Sequence, residues 1–541
     1  MTAKEWVKFY NELKAERGNW ETRWNEVAEY CAPTYADMNS TFAEGQEKTN
    51  RQKQCDPIGI KCVNLLAKTI HSMVCPPGVK WVDFVEDDLK NPSLESKEWI
   101  QSQGNKVQWN FDISNFHKEF STFAKILVWQ GTPVMFFENT FNEQLGRKVF
   151  QFTTLHPKEG FIGEMRNGRV IKFIRLYKLP VGRILQDWPD MPTEIKEELT
   201  TELSKSPTSE REILNCVYEK KNEKSKFPII SKDILLHKNA FLSEEDTGYY
   251  TFPYITLRWE SIPGEKYGNS PALDAIGHIK SLNQAAAIAL DNYDKSLNPP
   301  TMVTKGSMES GLNISSGAIN LIDDVNDIKV LIDQGRWDVA ESLIRRMSSQ
   351  TEQMFFIDQI QLPPMEGTPH TAFEIQKRIE FQMRILGPMF GSHNFEFLDP
   401  LIERSIDLLL RDDQFDPIPD QIQDGGFKPK YIGPLSKAQK ISEASSLQEY
   451  LTVYFSIISN APQVVQTNPE LSVMHNWKKI FDIMADARSV PLTIFNDEKR
   501  ITEETEKLKQ MQQAQAEAEM AKQGASAYKD IQSGAQMERG Q

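Results

Sequence analysis

The sequence predicts an α+β, predominantly helical chain, and three observations carry that expectation. Apolar side chains recur at steps of three and four along the N-terminal stretch and between Ser270 and Arg411, and a further helical set follows residue 436, its last member rich in Glu, Lys, Gln and Ala. Between Pro133 and Glu260 the period falls to two, with turn residues separating the runs. Two insertions, one with strand-like runs and one rich in proline, divide the Ser270–Arg411 stretch into three helical segments.

Taken in order, residues 4 to 30 form a polar helix carrying Trp6, Phe9, Leu13, Trp20, Trp24, Val27 and Tyr30, read as packing residues; Cys31-Ala32-Pro33 ends it. Residues 37 to 54 are polar and expected to be mobile. Asp56 to Val74 is a second helix with Ile60, Val63, Leu66, Ile70 and Val74 along one side, and residues 95 to 131 hold one or two more, closed by Gly131. The runs VMFFENT, RKVFQFTTL, GFIGEMRNGRVIKFIRLYKL, NCVYEKK and YYTFPYITLRWE read as strands, with Asn167-Gly168 favouring a tight hairpin. An acidic helix over 191 to 205 interrupts them.

Ser270 is the expected N-cap of a rod over 270–297, with Pro271 at its first position and a stripe of Leu273, Ile276, Ile279, Leu282, Ala286, Leu290, Tyr293 and Leu297. An insert over 298–333 carries the strand-like runs TMVTK, AINLI and IKVLI. A second rod over 334–361 places Trp337, Ala340, Ile344, Met347, Met354 and Ile357 at similar spacing and stops before Pro363-Pro364. The segment from Leu362 to His370 holds three prolines and a glycine and cannot be helix. The third helical segment, 371–411, is interrupted around Gly387-Pro388 and Gly391; at 1.5 Å rise per residue it would span roughly 60 Å if helical throughout. Residues 412–435 form a connection with at most a short strand, and helices follow over 436–459, 468–487 and 497 to 524, before a disordered tail.

Composition narrows the function. A formal charge of -14 argues against a protein that grips nucleic acid across its surface. No run of about 18 apolar residues is present to cross a bilayer, and the N-terminus lacks the apolar core of a signal peptide, so a cytosolic product with no membrane partner is expected. Cys31, Cys55, Cys62, Cys75 and Cys216 form no CxxC pair and read as reduced thiols; the spacing of His71 and Cys75 allows a metal pair, against a buried thiol. No GxxxxGK[ST], HExxH, GxSxG or EF-hand pattern occurs. Asp323-Asp324 and Asp412-Asp413 read as solvated loop charge rather than cation sites, and the eight histidines are scattered. No catalytic residue, cofactor or metal ligand is therefore assigned.

Longer blocks carry more information. RWESIPGEKYGNSPALDAIGHIKSLN from Arg258 to Asn283, HTAFEIQKRIEFQMRILGPMFG from His370 to Gly391, LDPLIERSIDLLLR from Leu398 to Arg411 and DPIGIKCVNLLAKTIHSMVCPPGVKWVDF ending in Phe84 resemble, in order, portal proteins. These are the head-to-tail connectors of short-tailed double-stranded DNA bacteriophages, podoviruses. The sequence HNFEF departs from that pattern and leaves the break in the long helix open.

The resemblance implies a ring of twelve copies at one capsid vertex of the virion. Such a ring nucleates capsid assembly with capsid and scaffolding proteins, docks the terminase ATPase and later the tail and adaptor proteins, and passes double-stranded DNA. It also implies a map: wing over 1–269, stem helices over 270–297 and 334–361, clip over 298–333, spine over 371–411, and crown from 436 onward. The channel loop would be Leu362, Pro363, Pro364, Met365, Glu366, Gly367, Thr368, Pro369 and His370. Lys280, Lys295, Arg345 and Arg346 are candidates to face DNA, with salt bridges or solvent as the alternative for each. The competing readings are a phage nuclease using dispersed carboxylates and Mg²⁺, and a helical scaffold or adaptor with no channel.

Overall fold

The first helix, α1 (Ala3–Cys31), begins where its sequence provides a cap. The Thr2 hydroxyl accepts the Glu5 N–H (3.3 Å) and the Glu5 carboxylate accepts the Thr2 N–H (2.8 Å). The computed structural model describes residues 2–36, 54–86, 94–220, 226–243, 245–297, 301–304, 313, 315, 318–322, 337–360, 393–417, 427–432, 444, 446–456, 459, 475–487, 500, 503–511 and 513–515. These divide into two compact units, Met1–Leu89 with Trp99–Ala438, and Lys90–Glu98 with Gln439–Gln541.

In the larger unit α1 serves two cores. Trp6, Tyr10 and Leu13 pack on Phe161, Ile174, Leu214 and Ile234, whereas Trp20, Trp24 and Val27 enter the principal core. Between them Arg17, 2% exposed, donates to Glu21 (2.7 Å) and to the carbonyls of Pro157 (3.2 Å), Lys158 (3.1 Å) and Gly160 (2.5 Å). The aromatic side chains are packing residues, as the sequence suggests. Three further helices follow: α2 (Ile58–Val74), α3 (Leu94–Ile113) and α4 (Phe116–Gln130), with strand β1 (Val82–Glu86) between the first two.

Gly131 closes α4 with φ of 93°, and its N–H caps the carbonyls of Ile126 (3.3 Å) and Leu127 (3.1 Å). A Cβ there would fall 2.5 Å from the Gly268 oxygen and 2.6 Å from that of Asn269. Gly131→Ala therefore combines a left-handed backbone with a backbone clash, and is expected to destabilise by at least roughly 1–3 kcal/mol, read as a fall in melting temperature.

The strands build two antiparallel sheets. β2 (Val134–Asn142) and β3 (Arg147–Thr154) form a hairpin, and β4 (Gly160–Arg166) and β5 (Arg169–Pro180) form another around Asn167 and Gly168, both at positive φ as a tight turn requires. Helices α5 (Val181–Asp187) and α6 (Thr193–Lys205) precede β6 (Glu210–Glu219), β7 (Ile229–Leu235), β8 (Ala240–Phe241), β9 (Thr247–Tyr249) and β10 (Tyr254–Thr256). One sheet runs β10-β2-β3; the other runs β4-β5-β6-β7-β8, with β9 also on β7. The sequence reading assigned neither α5 nor β7, although β7 lies inside the larger sheet.

Helix α7 (Pro271–Leu297) starts as expected: buried Ser270 accepts the Leu273 N–H (3.1 Å) and donates to the Trp129 carbonyl (3.1 Å). In the following insert β11 (Thr301–Thr304) and β12 (Ile319–Ile322) pair in parallel; the third expected run, 328–332, lies outside the described residues.

The expected rod over 334–361 is two helices rather than one: α8 (Trp337–Met354) and α9 (Ile357–Ile360), broken at Phe356 with φ of 59°. Phe355 and Ile357 are both fully buried, and two positions apart they would point to nearly opposite sides of one helix. The left-handed residue turns both inward. In the third helical segment, 371–392 lie outside the described residues, including Gly387-Pro388 and Gly391. The HNFEF sequence forms a π-helical turn, Asn394–Leu398, running directly into α10 (Asp399–Arg411). Pro400 lacks an N–H and crowds the carbonyl four residues back at Glu396, which accounts for the widened turn. Finally β13 (Phe427–Tyr431) pairs antiparallel with β1.

The smaller unit is helical where described. A helix over Trp477–Ala487 starts after Asn476, whose side chain accepts the Lys479 N–H (3.2 Å); residues 468–474 of the expected helix lie outside the described residues. Tyr450, Tyr454, Phe455, His475 and Trp477 form an aromatic cluster.

Candidate assembly and channel surface

Helix α7 changes character halfway along. Ala272, Leu273, Ala275, Ile279 and Leu282 are buried in the principal core. Beyond them Ile288 (55% exposed), Leu290 (56%), Tyr293 (49%) and Leu297 (86%) face solvent. The apolar stripe read from the sequence is continuous, but among the described residues only its first half is buried. Helix α8 packs beside α7. Its Ile344 and Met347 lean on the core, while Leu343 and Met354 are exposed. Lys61 of α2 holds Glu352 of α8 at 2.9 Å, and that hydrogen bond raises the lysine pKa.

The four basic candidates differ. Lys280 is half-buried and ion-paired with Glu26 of α1, above the Tyr30 ring at 6.0 Å. Lys295 pairs with Asp291 one turn back (2.8 Å), and Arg345 with Glu341 (2.6 Å). Surface pairs at this spacing are worth only about 0.3–0.5 kcal/mol, so neither cation is committed to its partner. Arg346 is exposed and has no ion-pair partner among the described residues. Each of the two helices carries three acidic and two basic side chains. Leu362 to His370 lie outside the described residues.

Sequence reasoning missed the side chains that fix the root of α7. Arg258, just upstream, is 11% exposed and Glu396 of the π-turn 7%. The Arg258 backbone N–H donates to Glu396 Oε2 (3.0 Å), and the guanidinium donates through Nε to Oε1 (3.2 Å) and through Nη2 to Oε1 (2.5 Å). Gly168 approaches the same carboxylate, and a Cβ there would lie 3.0 Å from it. Arg404 of α10 is 2% exposed and donates to the carbonyls of Phe137 (2.8 Å) and Thr251 (2.7 Å); burial pushes its pKa down to about 10. A lone Arg and a lone Glu far apart in sequence give no local signal of such a bond.

Among the described residues no group of three or more His, Cys, Asp or Glu side chains is placed to hold a metal. All five cysteines are free, and burial pushes the Cys31 and Cys62 thiols up to about 12. Among the described residues no helix is long and apolar enough to cross a membrane.

Known proteins match this chain almost from end to end. It is 22% identical over 551 residues to the portal protein of Salmonella phage epsilon15, covering 97% of this chain and 95% of that one. It is 19% identical over 538 residues to the probable portal protein of Bordetella phage BPP-1, covering 95% and 93%. The family described as bacteriophage head to tail connecting protein matches residues 3–495. The chain therefore belongs to the family of bacteriophage head to tail connecting proteins.

Proposed function

We propose that copies of this chain stand side by side around an axis as the portal of a podovirus virion, a twelve-membered ring that conducts double-stranded DNA. The observation that carries the reading is the exposed apolar half of α7, on a chain whose family membership spans nearly its full length. An isolated helix hairpin gains little by presenting Leu290 and Leu297 to water, whereas a head-to-tail contact repeated by rotation covers that face in every copy.

In this reading residues 1–269 are the wing, α7 and α8–α9 the stem, 298–333 the clip that meets tail and adaptor proteins, and 371–411 the spine. Residues 412–435 are a connection to the crown. Capsid and scaffolding proteins surround the ring in the host cytoplasm, and the terminase ATPase docks on it. The ring supplies a passage and no catalytic step. Three acidic and two basic side chains on each of α7 and α8 suit transit, because each phosphate neutralised by Lys or Arg adds salt-sensitive affinity that would retain the duplex. Lys295, Arg345 and Arg346 are the cations available to touch DNA; Lys280 serves the subunit through Glu26.

Purified protein is expected to form a particle many times its 62.1 kDa chain mass, with a central hole by negative-stain electron microscopy. A discrete monomer at micromolar concentration in several salts would overturn the reading. Deleting Pro363 to Pro369, the proposed channel loop, is expected to leave the ring intact while impairing packaging or retention of DNA in infected cells. Collapse of the ring would remove that assignment.

A further inference from the structure

Two histidines from different helices meet at a place that the conduit reading does not use. Nε2 of His71, on α2, lies 3.4 Å from Nδ1 of His117, on α4; the two rings are stacked at 24°, and Phe120 stands edge-on to His71. The other nitrogen of His117, Nε2, is buried with no hydrogen-bond partner among the described residues, and the Asp112 carboxylate at the end of α3 stands 3.6 Å from it. Asp112 also accepts the Gln108 side-chain N–H (3.0 Å), and the Gln108 oxygen accepts the Trp81 N–H (3.2 Å) next to β1. One polar chain therefore crosses α2, α4 and α3 and reaches the start of β1.

The geometry limits how many protons this chain of groups can hold. With one proton on His117, its Nε2–H faces Asp112 and its Nδ1–H donates to His71 Nε2. A second proton, on His71, turns that acceptor into a donor and sets two cations against each other at the same 3.4 Å. Burial first, and His117 second, lower the His71 pKa. Among the described residues no charge of α1, α7, α8 or α9, the other elements packed on α2, acts on His71. On α2 itself Lys68 is exposed and Cys75 is a buried thiol, and on α4 the Glu119 carboxylate is taken by the Thr154 N–H (2.9 Å). Both rings are partly exposed, so protons reach them.

We propose that His71, His117 and Asp112 form an acid-sensitive latch that joins α2 to α3 and α4, closed with one proton and opened by a second. Below about pH 6.5, the ordinary histidine value, the unfolded chain takes up a proton at residue 71 that the folded chain resists. The latch therefore holds fully above that pH and weakens as pH falls below it. Its release reaches further than the two rings, because Lys61 of α2 also holds Glu352 of α8 (2.9 Å).

The test is hydrogen–deuterium exchange of the full-length protein at pH 7.5 and pH 5.5, read by mass spectrometry on peptides of α2 and α4 and corrected for the pH dependence of the exchange chemistry itself. Protection in both helices is expected to fall by up to about tenfold at the lower pH. His71→Gln keeps a polar side chain without a titrating group, and is expected to shrink that loss to less than about twofold. Asp112→Asn is expected to act in the opposite direction: Asp112 is exposed and the amide oxygen still accepts Gln108, but the first proton loses its carboxylate, so the loss at acid pH grows. Should His71→Gln fail to fold, Asp112→Asn alone decides. Protection unchanged between the two pH values, a His71→Gln protein that loses as much as the parent, or an Asp112→Asn protein that loses no more than the parent overturns the proposal. The exchange is read on the subunit whether or not a ring is present, so the function proposed above stands or falls separately.

Discussion

Leu290→Lys combined with Leu297→Lys is expected to convert the assembled particle into monomers without unfolding the chain. Both side chains are more than half exposed in the single subunit, so their replacement removes almost no intramolecular contact, and a change within about 0.5 kcal/mol in subunit stability is expected. Covering each leucine at a neighbour's surface is worth about 1.5–3 kcal/mol, and a lysine there must also be desolvated. Each substitution therefore weakens a subunit contact by about tenfold to a hundredfold, and a ring repeats that loss at every junction. Mass photometry beside thermal unfolding separates the two quantities. A particle of unchanged mass would show that this face is not where subunits meet.

Glu396→Ala is expected to have the opposite profile, with a large loss of subunit stability. The mutation leaves the Arg258 guanidinium buried beside an empty space, and removing one partner of a buried pair typically costs about 3–5 kcal/mol. Glu396→Gln keeps the shape and an acceptor oxygen and should lose less. Replacing both partners, Arg258→Met with Glu396→Leu, should recover much of the loss, because the penalty lies in the orphaned charge rather than in the absent bond. Denaturant midpoints for the four proteins test this. A loss below about 1 kcal/mol for Glu396→Ala would mean that water or another donor already satisfies the arginine.

What the sequence made legible follows the range of the interactions involved. The Ser270 cap, the Asn167-Gly168 turn and the Gly131 stop depend on neighbours a few residues away, and each lies where local chemistry puts it. Strand β7 was missed because Ser231, Lys232 and Asp233 break its apolar run, and their place makes sense only beside Asn215 of β6. The break at Phe356 likewise depends on a core that must take both Phe355 and Ile357. For the assembly surface the stripe on α7 was readable. Where burial stops was not, since that boundary depends on α1, α2 and α4, distant in sequence, packing on α7, whose described core residues end at Leu282. The Arg258–Glu396 pair was invisible for the same reason.

The pairing of β1 with β13 also sets a schedule on the ribosome. About 340 residues separate the two strands, so at a synthesis rate of roughly 5–20 residues per second the first waits about 20–70 s for its partner. Throughout that interval the nascent chain carries an open strand edge, a template for wrong pairing with other growing chains. Translation must pass Tyr431 before β1 can find its partner and that edge can close.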